Sequence, residues 1–585
     1  MSETTTFNKS FILIGLIALF VIPELNNVHY DPQPQFWAEM TVAWAILGLF
    51  SFILWRSRER ICIPFVVLPL GLLALYLCLQ PLILANIDFP GLNYVSALEL
   101  LLCIFLAISI STIKNTYGLR YMLTSLSYAL LIGAILQTLI GFIQYTGTTS
   151  YFGDMIFYDS SHPTTNIFGH FGQRNHYAHY LSWGTFGLIY LYQQRRLSAK
   201  LFYPLLLWMS FSLTISASRS VFIYFALALI FSGSFYFIKR NRESKRLFCL
   251  IACATIALFA FEYFYPLIHK LFTTHNNFSS GLGRIDSESG TGRRGVEWDK
   301  AWLVFKSYPI LGYGWNGYAK QSVLLHPLFP NAALNSGLFT NCHNLVLQLL
   351  AETGLIGAGI VIFGIIYAIY RLLRGSASVE SVILLCMIGT TLSHSLNEYP
   401  LWYMYFLAGL VTFLAMDKPL VIIGVNKIRA LAALPIIGCA YLMVSGSIIF
   451  DTLVNYYDTP DDQATFTKQA KYLQNIVDHN QLWAYFGIYT LDNYIDVDSD
   501  ATNKLYSLPT QYYYTHKLNT FHPYPDTMTK EAMLDWKLGN HDAAIAMVKL
   551  DLISFPVYKA SCKDTLKDAQ YKELYQLVKY SMPIY

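Results

Sequence analysis

The stretch LNYVSALELLLCIFLAISISTIKNTYGLRYMLTSLSYALLIGAILQTLIGFIQY (residues 92–145) decides the fold. It holds two apolar runs, 92–113 and 119–145, joined by a short basic link, KNTYGLR (114–120). Each run reaches the ~20 residues a helix needs to cross a hydrocarbon core. Runs of the same kind recur on either side, at 9–25, 36–55 and 61–85, then at 176–193, 200–217, 219–238, 247–271, 343–371, 378–396, 400–416 and 428–450. They predict an all-α polytopic membrane protein with about 13 transmembrane helices. Helices are required because a strand with a free edge leaves backbone polar groups unsatisfied in lipid. The first run reads as a retained span, since its flank lacks both a strongly basic region and a small-x-small cleavage site.

Composition points the same way. Of 585 residues, 55% are hydrophobic and only 13% are Asp, Glu, Lys or Arg, with a mean hydropathy of +0.40. Soluble domains carry roughly 25% charged residues. A disordered, collagen-like or disulfide-scaffold chain is excluded. The net charge of +4, with no basic block, gives no argument for nucleic acid. Of the nine cysteines, all but Cys342 and Cys562 fall in apolar runs, and no pair has zinc spacing. Cys342 and Cys562 are the two that could form a disulfide.

Lys and Arg concentrate in every second loop: 56–60, 114–120, 193–200, 239–246, 371–374 and 417–429. The alternate loops, 26–35, 86–91, 146–175 and 395–399, are nearly free of them, Arg174 excepted. Positive charge stays inside, so the N-terminus is expected in the cytoplasm and two polar segments outside, in the periplasm of a Gram-negative cell. The expected organisation is transmembrane helices one to nine (1–271), a large periplasmic loop (272–342), helices ten to thirteen (343–450) and a helical periplasmic tail (451–585). Within the tail, residues 531–556 have the spacing of a tetratricopeptide-like helix pair or of a generic helical hairpin. The glycine-rich segment 281–292 lacks the Gly-Lys-Ser/Thr of a P-loop and reads as a flexible loop.

Polar residues at membrane depth are costly and usually have a task. They gather in clusters on the expected outer side. SHPTTNIFGHFGQRNHYAHYLSWG (161–184) concentrates Gln173, Arg174, Asn175 and His176 with further histidines. The histidine spacings mix loop and helix without an accompanying carboxylate, so donors to phosphate or sugar fit better than metal ligands. SASRS (216–220) places Arg219 at the hinge of a hairpin. TGRRGVEWDKAWLVFKSYPILGYGWNGYA (291–319) leads to NCHNLVLQLLAETGLIG (341–357), where His343 is expected on the first turn of a long helix, with Asn341 and His343 as possible caps. The positive end of that helix would favour a neutral imidazole, able to accept a proton from a hydroxyl. SHSLNEYPLWYMYF (393–406) adds His394 and Glu398 at a helix end, followed by an aromatic belt.

Taken in order, 291–319 with HNLVLQLLAETGLIG (343–357) resembles the signature of the O-antigen ligase and polymerase superfamily. FGHFGQRNHYAHYLSWG (168–184) and HSLNEYPLWYMYFL (394–407) are similar to motifs of its bacterial protein O-oligosaccharyltransferases, which glycosylate pilins and other periplasmic proteins. The resemblance implies a glycosyltransferase of the bacterial inner membrane, moving a preassembled oligosaccharide from undecaprenyl diphosphate to a Ser/Thr hydroxyl of a periplasmic protein. It implies an essential His343, with Arg219 and Arg294 holding the donor diphosphate. Gln173, Asn175 and His176 fall in the donor-site motif, and Tyr403 and Tyr405 in the aromatic one; His394 and Glu398 join them as expected substrate contacts. Arg174 departs from the uncharged residue expected there and would add a phosphate contact or alter donor preference. No cofactor or metal is expected, and direct displacement would invert the sugar. The alternatives are an O-antigen ligase acting on lipid A-core, an O-antigen polymerase or a lipid-linked glycan transporter; the one-sided polar clusters and the lack of an internal repeat disfavour the transporter.

Overall fold

The computed structural model describes residues 9–56, 60–162, 164–272, 292–329, 337–374 and 377–581. The flexible-loop reading of 281–292 falls, but for its last residue, outside them. Each apolar run is occupied by a helix: α1 (Lys9–Phe20), α2 (Phe36–Arg56), α3 (Val67–Ile83), α4 (Pro90–Tyr117), α5 (Leu119–Thr146), α6 (Arg174–Gln193), α7 (Ala199–Ile215), α8 (Ser220–Lys239) and α9 (Arg242–Phe272). The segment between α9 and the next apolar helix contributes α10 (Gly292–Ser307) and α11 (Tyr318–Leu324). The apolar series resumes with α12 (Leu345–Leu373), α13 (Val379–Ser395), α14 (Met404–Leu414) and α15 (Val425–Asn455). Seven of these (α2, α4, α5, α8, α9, α12 and α15) are long and apolar enough to cross a membrane, and five more are apolar but shorter. The most polar of the series is α6, and its place explains why it can be: from His176 to Gln193 nearly every side chain is buried among other helices, so its surroundings are protein and not lipid.

The alternation of loops in sequence becomes two ends of the bundle. At one end, a two-stranded antiparallel ribbon pairs β1 (Arg60–Ile63) with β2 (Val421–Gly424), Arg60 opposite Gly424. Arg371 Nε lies 2.7 Å from Asp417 Oδ2, Lys114 Nζ donates to the Asp417 carbonyl, and Arg246 to that of Tyr192. These are the Lys- and Arg-bearing loops. At the other end, Asn27 donates to the Asp154 carbonyl and Asn86 to that of Tyr313. The tail docks there, Trp483 against Phe36 and Phe521 against Phe89.

The described part of the tail is built from helices: α16 (Gln463–His479), α17 (Ala484–Leu491), α18 (Asp500–Leu505), α19 (Leu508–Asn519), α20 (Pro525–Lys537), α21 (His541–Ser554), α22 (Lys559–Thr565) and α23 (Lys572–Tyr580). Residues α20 and α21 form a hairpin whose apolar faces close a small core with Leu566, Tyr571 and Leu574. Cys562 belongs to that core, while Cys342 is buried beside Asn344. All nine cysteines are free, so the pairing of Cys342 with Cys562 does not form; each behaves as a small apolar residue.

One irregularity positions the site. Helix α12 is broken at Gly354 (φ 60°, ψ −163°), a conformation essentially reserved for glycine. The orphaned backbone groups are taken up by residues 309–314 (PILGYG). Tyr313 N–H donates to the Ala351 carbonyl (2.8 Å) and Gly314 N–H to that of Glu352 (3.1 Å); Leu355 N–H donates to Pro309 O (2.9 Å). From α3, the Tyr76 hydroxyl donates to Leu311 O and Thr353 O, and Gln80 Nε2 to Leu311 O and Glu352 O. Irregular backbone inside a membrane bundle is tolerated where protein satisfies it in this way. A Cβ at Gly354 would lie 2.3 Å from the Ile310 carbonyl oxygen. The loop is therefore stitched to the first half of α12, and α10 with it. A fully buried Lys300, bonded to Glu297 (2.8 Å) and His326 (2.8 Å), fastens α10 to the turn after α11.

Candidate active site

Glu398, in the turn between α13 and α14, is the hub of the bundle end opposite the two-stranded ribbon. Its side chain is only 3% exposed and receives three donors from distant parts of the chain. Oε2 is 2.8 Å from His343 Nδ1. Oε1 accepts from Asn175 Nδ2 at 3.0 Å and from Arg294 Nη2 in a shorter contact. Burial alone would push this carboxyl up, but the His343 hydrogen bond and the His343 and Arg294 charges outweigh it and hold it down at about 2. It is a carboxylate at any physiological pH. Asn175 extends the network: its Oδ1 accepts from Ser218 Oγ at 2.7 Å. Ser218 precedes Arg219, the residue that heads α8. Residues from four separate sequence motifs thus converge on one carboxylate.

His343 is not on the first turn of α12. The N-cap is Asn344, whose Oδ1 accepts from Val346 and Leu347 N–H, and neither Asn341 nor His343 caps the helix. His343 stands just outside it with φ 57°. This left-handed conformation is uncommon for a residue with a side chain, and strain of this kind, of order 1–3 kcal/mol, collects at functional sites. The Asn341 side chain holds it by accepting from His343 N–H at 2.8 Å, the local turn that Asn forms readily. The imidazole is 20% exposed and edge-on to Tyr399, ring centroids 5.1 Å apart. Because Nδ1 faces a carboxylate, the neutral ring carries its proton there and presents Nε2 as an acceptor.

The remaining expected residues fall into two layers. Arg174 opens α6 and donates from Nη2 to Asn166 Oδ1 at 2.8 Å; Asn166 in turn donates to Asp159. Gln173 is half-buried at the cap position of α6, without a capping hydrogen bond. Arg219 is half-buried. Tyr403 stacks between Tyr399 (5.9 Å) and Tyr405 (5.5 Å) and lies edge-on to His176 (4.9 Å). Behind this layer, His176, His394 and Tyr405 are buried. His394 Nδ1 is 2.9 Å from His179 Nδ1, and His179 lies flat on Phe406. His394 and Tyr405 therefore support the rings in front of them from inside the bundle and do not line an open surface. Ser218, Asn166 and Tyr399 were not singled out from sequence, although each lies inside or beside a motif that was. Their roles depend on which chain segments meet, which no local pattern records.

Residues 204–362 match the O-antigen ligase family, residues 382–568 the C-terminal region of the virulence factor membrane-bound polymerase family, and residues 167–192 the protein glycosylation ligase family. Together these segments contain every residue of the carboxylate network. The chain is thereby similar to the O-antigen ligase and polymerase superfamily, a class of multi-pass membrane glycosyltransferases. Within that class its likeness is to the protein-glycosylating branch. It is 26% identical over 432 residues to the general O-oligosaccharyltransferase of Acinetobacter baylyi, a match covering 72% of this chain and 73% of that one.

Proposed function

We propose that the protein transfers a preassembled oligosaccharide from undecaprenyl diphosphate to a Ser/Thr hydroxyl of a periplasmic acceptor protein such as a pilin, at the outer face of the inner membrane. The observation that carries this reading is the His343–Glu398–Arg294 constellation. His343 Nδ1 is fixed on an ionised carboxylate (2.8 Å) while its ring remains accessible, and Arg294, 31% exposed, stands on the other oxygen of the same carboxylate. The acceptor oxygen attacks the anomeric carbon and gives its proton to His343 Nε2. The bond from that carbon to the phosphate oxygen breaks, and its electron pair stays with the leaving diphosphate. Glu398 stabilises the imidazolium that forms. Charge grows on the leaving group as the sugar gains oxocarbenium character. A guanidinium meets it with forked hydrogen bonds, which supports Arg294 and Arg219 as the donor clamp without a metal. A single displacement inverts the anomeric centre.

Gln173, Arg174 and Asn175 at the start of α6 and the Tyr399–Tyr403 pair would flank the bound donor, with the outer loop and the tail shaping the acceptor groove. The cleft between α11 and the tail, lined by Lys320, His516 and Glu531, suits a polypeptide. The test is intact mass of a co-expressed pilin with a lipid-linked glycan pathway. Wild-type protein adds the glycan mass, and His343→Ala adds none at normal abundance. Wild-type-like addition by that variant would remove the base assignment. An altered lipopolysaccharide ladder without any acceptor mass shift would favour transfer to lipid A-core instead.

A further inference from the structure

A second cavity lies beside Met404, at the same end of the bundle as the carboxylate network. It is partly open and offers about 150 Å³ of space. Its walls are α2, α4 and α15, with Met404 at one side and Leu482, Trp483 and Phe486 of the tail as a cap. The lining is apolar except for Gln33 and two carboxyl groups, Glu39 and Glu99, which share the space and feel each other's charge. No Lys, Arg or His is among the lining residues. The outer face of α15 beside it exposes Leu434, Tyr441 and Ile448, the surface of a helix set against acyl chains.

We propose that this cavity binds a phospholipid with a primary ammonium headgroup, its nitrogen between Glu39 and Glu99 and an acyl chain along α2, α4 and α15. Two carboxylates facing one apolar space repel each other and lack solvation; a cation with N–H donors is the ligand that lets both ionise. The lining adds an apolar body to that cation, and the neighbouring α15 surface supplies a lipid source. The occupant would touch both the membrane helices and Trp483, so it would brace the tail against the bundle.

The test is native mass spectrometry of the full-length protein released from nanodiscs of phosphatidylethanolamine, phosphatidylglycerol or phosphatidylcholine. Phosphatidylethanolamine should be retained at least tenfold more than either of the others. The Glu39→Gln, Glu99→Gln double variant should lose that preference. Equal retention of the three lipids, or an undiminished phosphatidylethanolamine adduct in the double variant, would overturn the assignment. If the double variant fails to fold, Val95→Trp, which fills the cavity and leaves both carboxyls, should abolish the adduct; its persistence would overturn the proposal as well. Glycan transfer is not the readout, so the outcome is independent of the proposed reaction.

Discussion

Replacing Glu398 by Gln tests the site at its hub while keeping size and shape. The carboxylate accepts on both oxygens, His343 on one, Asn175 and Arg294 on the other. A carboxamide has one acceptor oxygen. Placed where Oε1 stands, it satisfies Asn175 and Arg294, and its NH2 then faces His343 Nδ1. Two donors cannot share that contact, so the imidazole must move its proton to Nε2 and lose the lone pair that would receive the acceptor's proton. The negative charge that stabilises the imidazolium is lost as well. A general base contributes about 10²–10⁴ in rate, equivalent to roughly 3–5 kcal/mol of transition-state stabilisation, and that is the expected fall in kcat, with the donor KM changed far less. The assay is the initial rate of glycan transfer from purified lipid-linked donor to a purified acceptor, followed by intact mass. A Gln variant within threefold of wild type would refute the dyad. The carboxylate is held at about 2, so its contribution is complete above the ordinary carboxylate range and disappears only as pH falls through that value. A loss of activity between pH 5 and 8 therefore belongs to another group.

Arg294→Lys and Arg219→Lys should each lower transfer by about 10–100-fold, because one ammonium cannot present a fork and a charged hydrogen bond is worth roughly 1.5–3 kcal/mol; full activity of Arg219→Lys would make that residue structural. Gly354→Ala should destabilise the fold by about 3 kcal/mol or more, from its disfavoured backbone and the Cβ clash with Ile310, read as a lower melting temperature in detergent; an unchanged melting temperature would contradict the stitched break. In the tail, the Glu531 hydrogen bond (2.7 Å) raises His516 above the ordinary histidine range against the opposing effect of burial. That support is complete below about pH 6.5 and is lost as pH rises through the raised value. Hydrogen exchange across residues 508–537, corrected for intrinsic rate, should speed up over that interval in the wild type and not in Glu531→Gln.

The membrane helices were legible because lipid imposes one rule on every residue of a span, and a run such as 119–145 satisfies it by itself. The grouping of loops into two ends was legible for a similar reason, since Lys and Arg mark one end. What stayed hidden depends on meetings between segments. Glu398 could be marked as out of place, but its partnership with His343 crosses 55 residues and that with Asn175 crosses 223. His394, in the same motif, looked equivalent and is instead buried against His179. The cap at Asn344 instead of His343 turns on a single φ angle. The break at Gly354 was masked because the residues on either side of it remain apolar and helix-forming.

That break has a consequence for how the chain is assembled. A continuous helix could enter the bilayer alone, every carbonyl answered from within. Here the backbone of 351–356 is answered by 309–314 and by side chains of α3, and 309–314 is answered by them in return. Neither segment is a finished unit when it leaves the translocon. The half-helix that follows His343 becomes a stable resident of the membrane only after segment 309–314 has folded back onto it, so insertion of one half of α12 waits on the placement of a neighbour that precedes it in the chain.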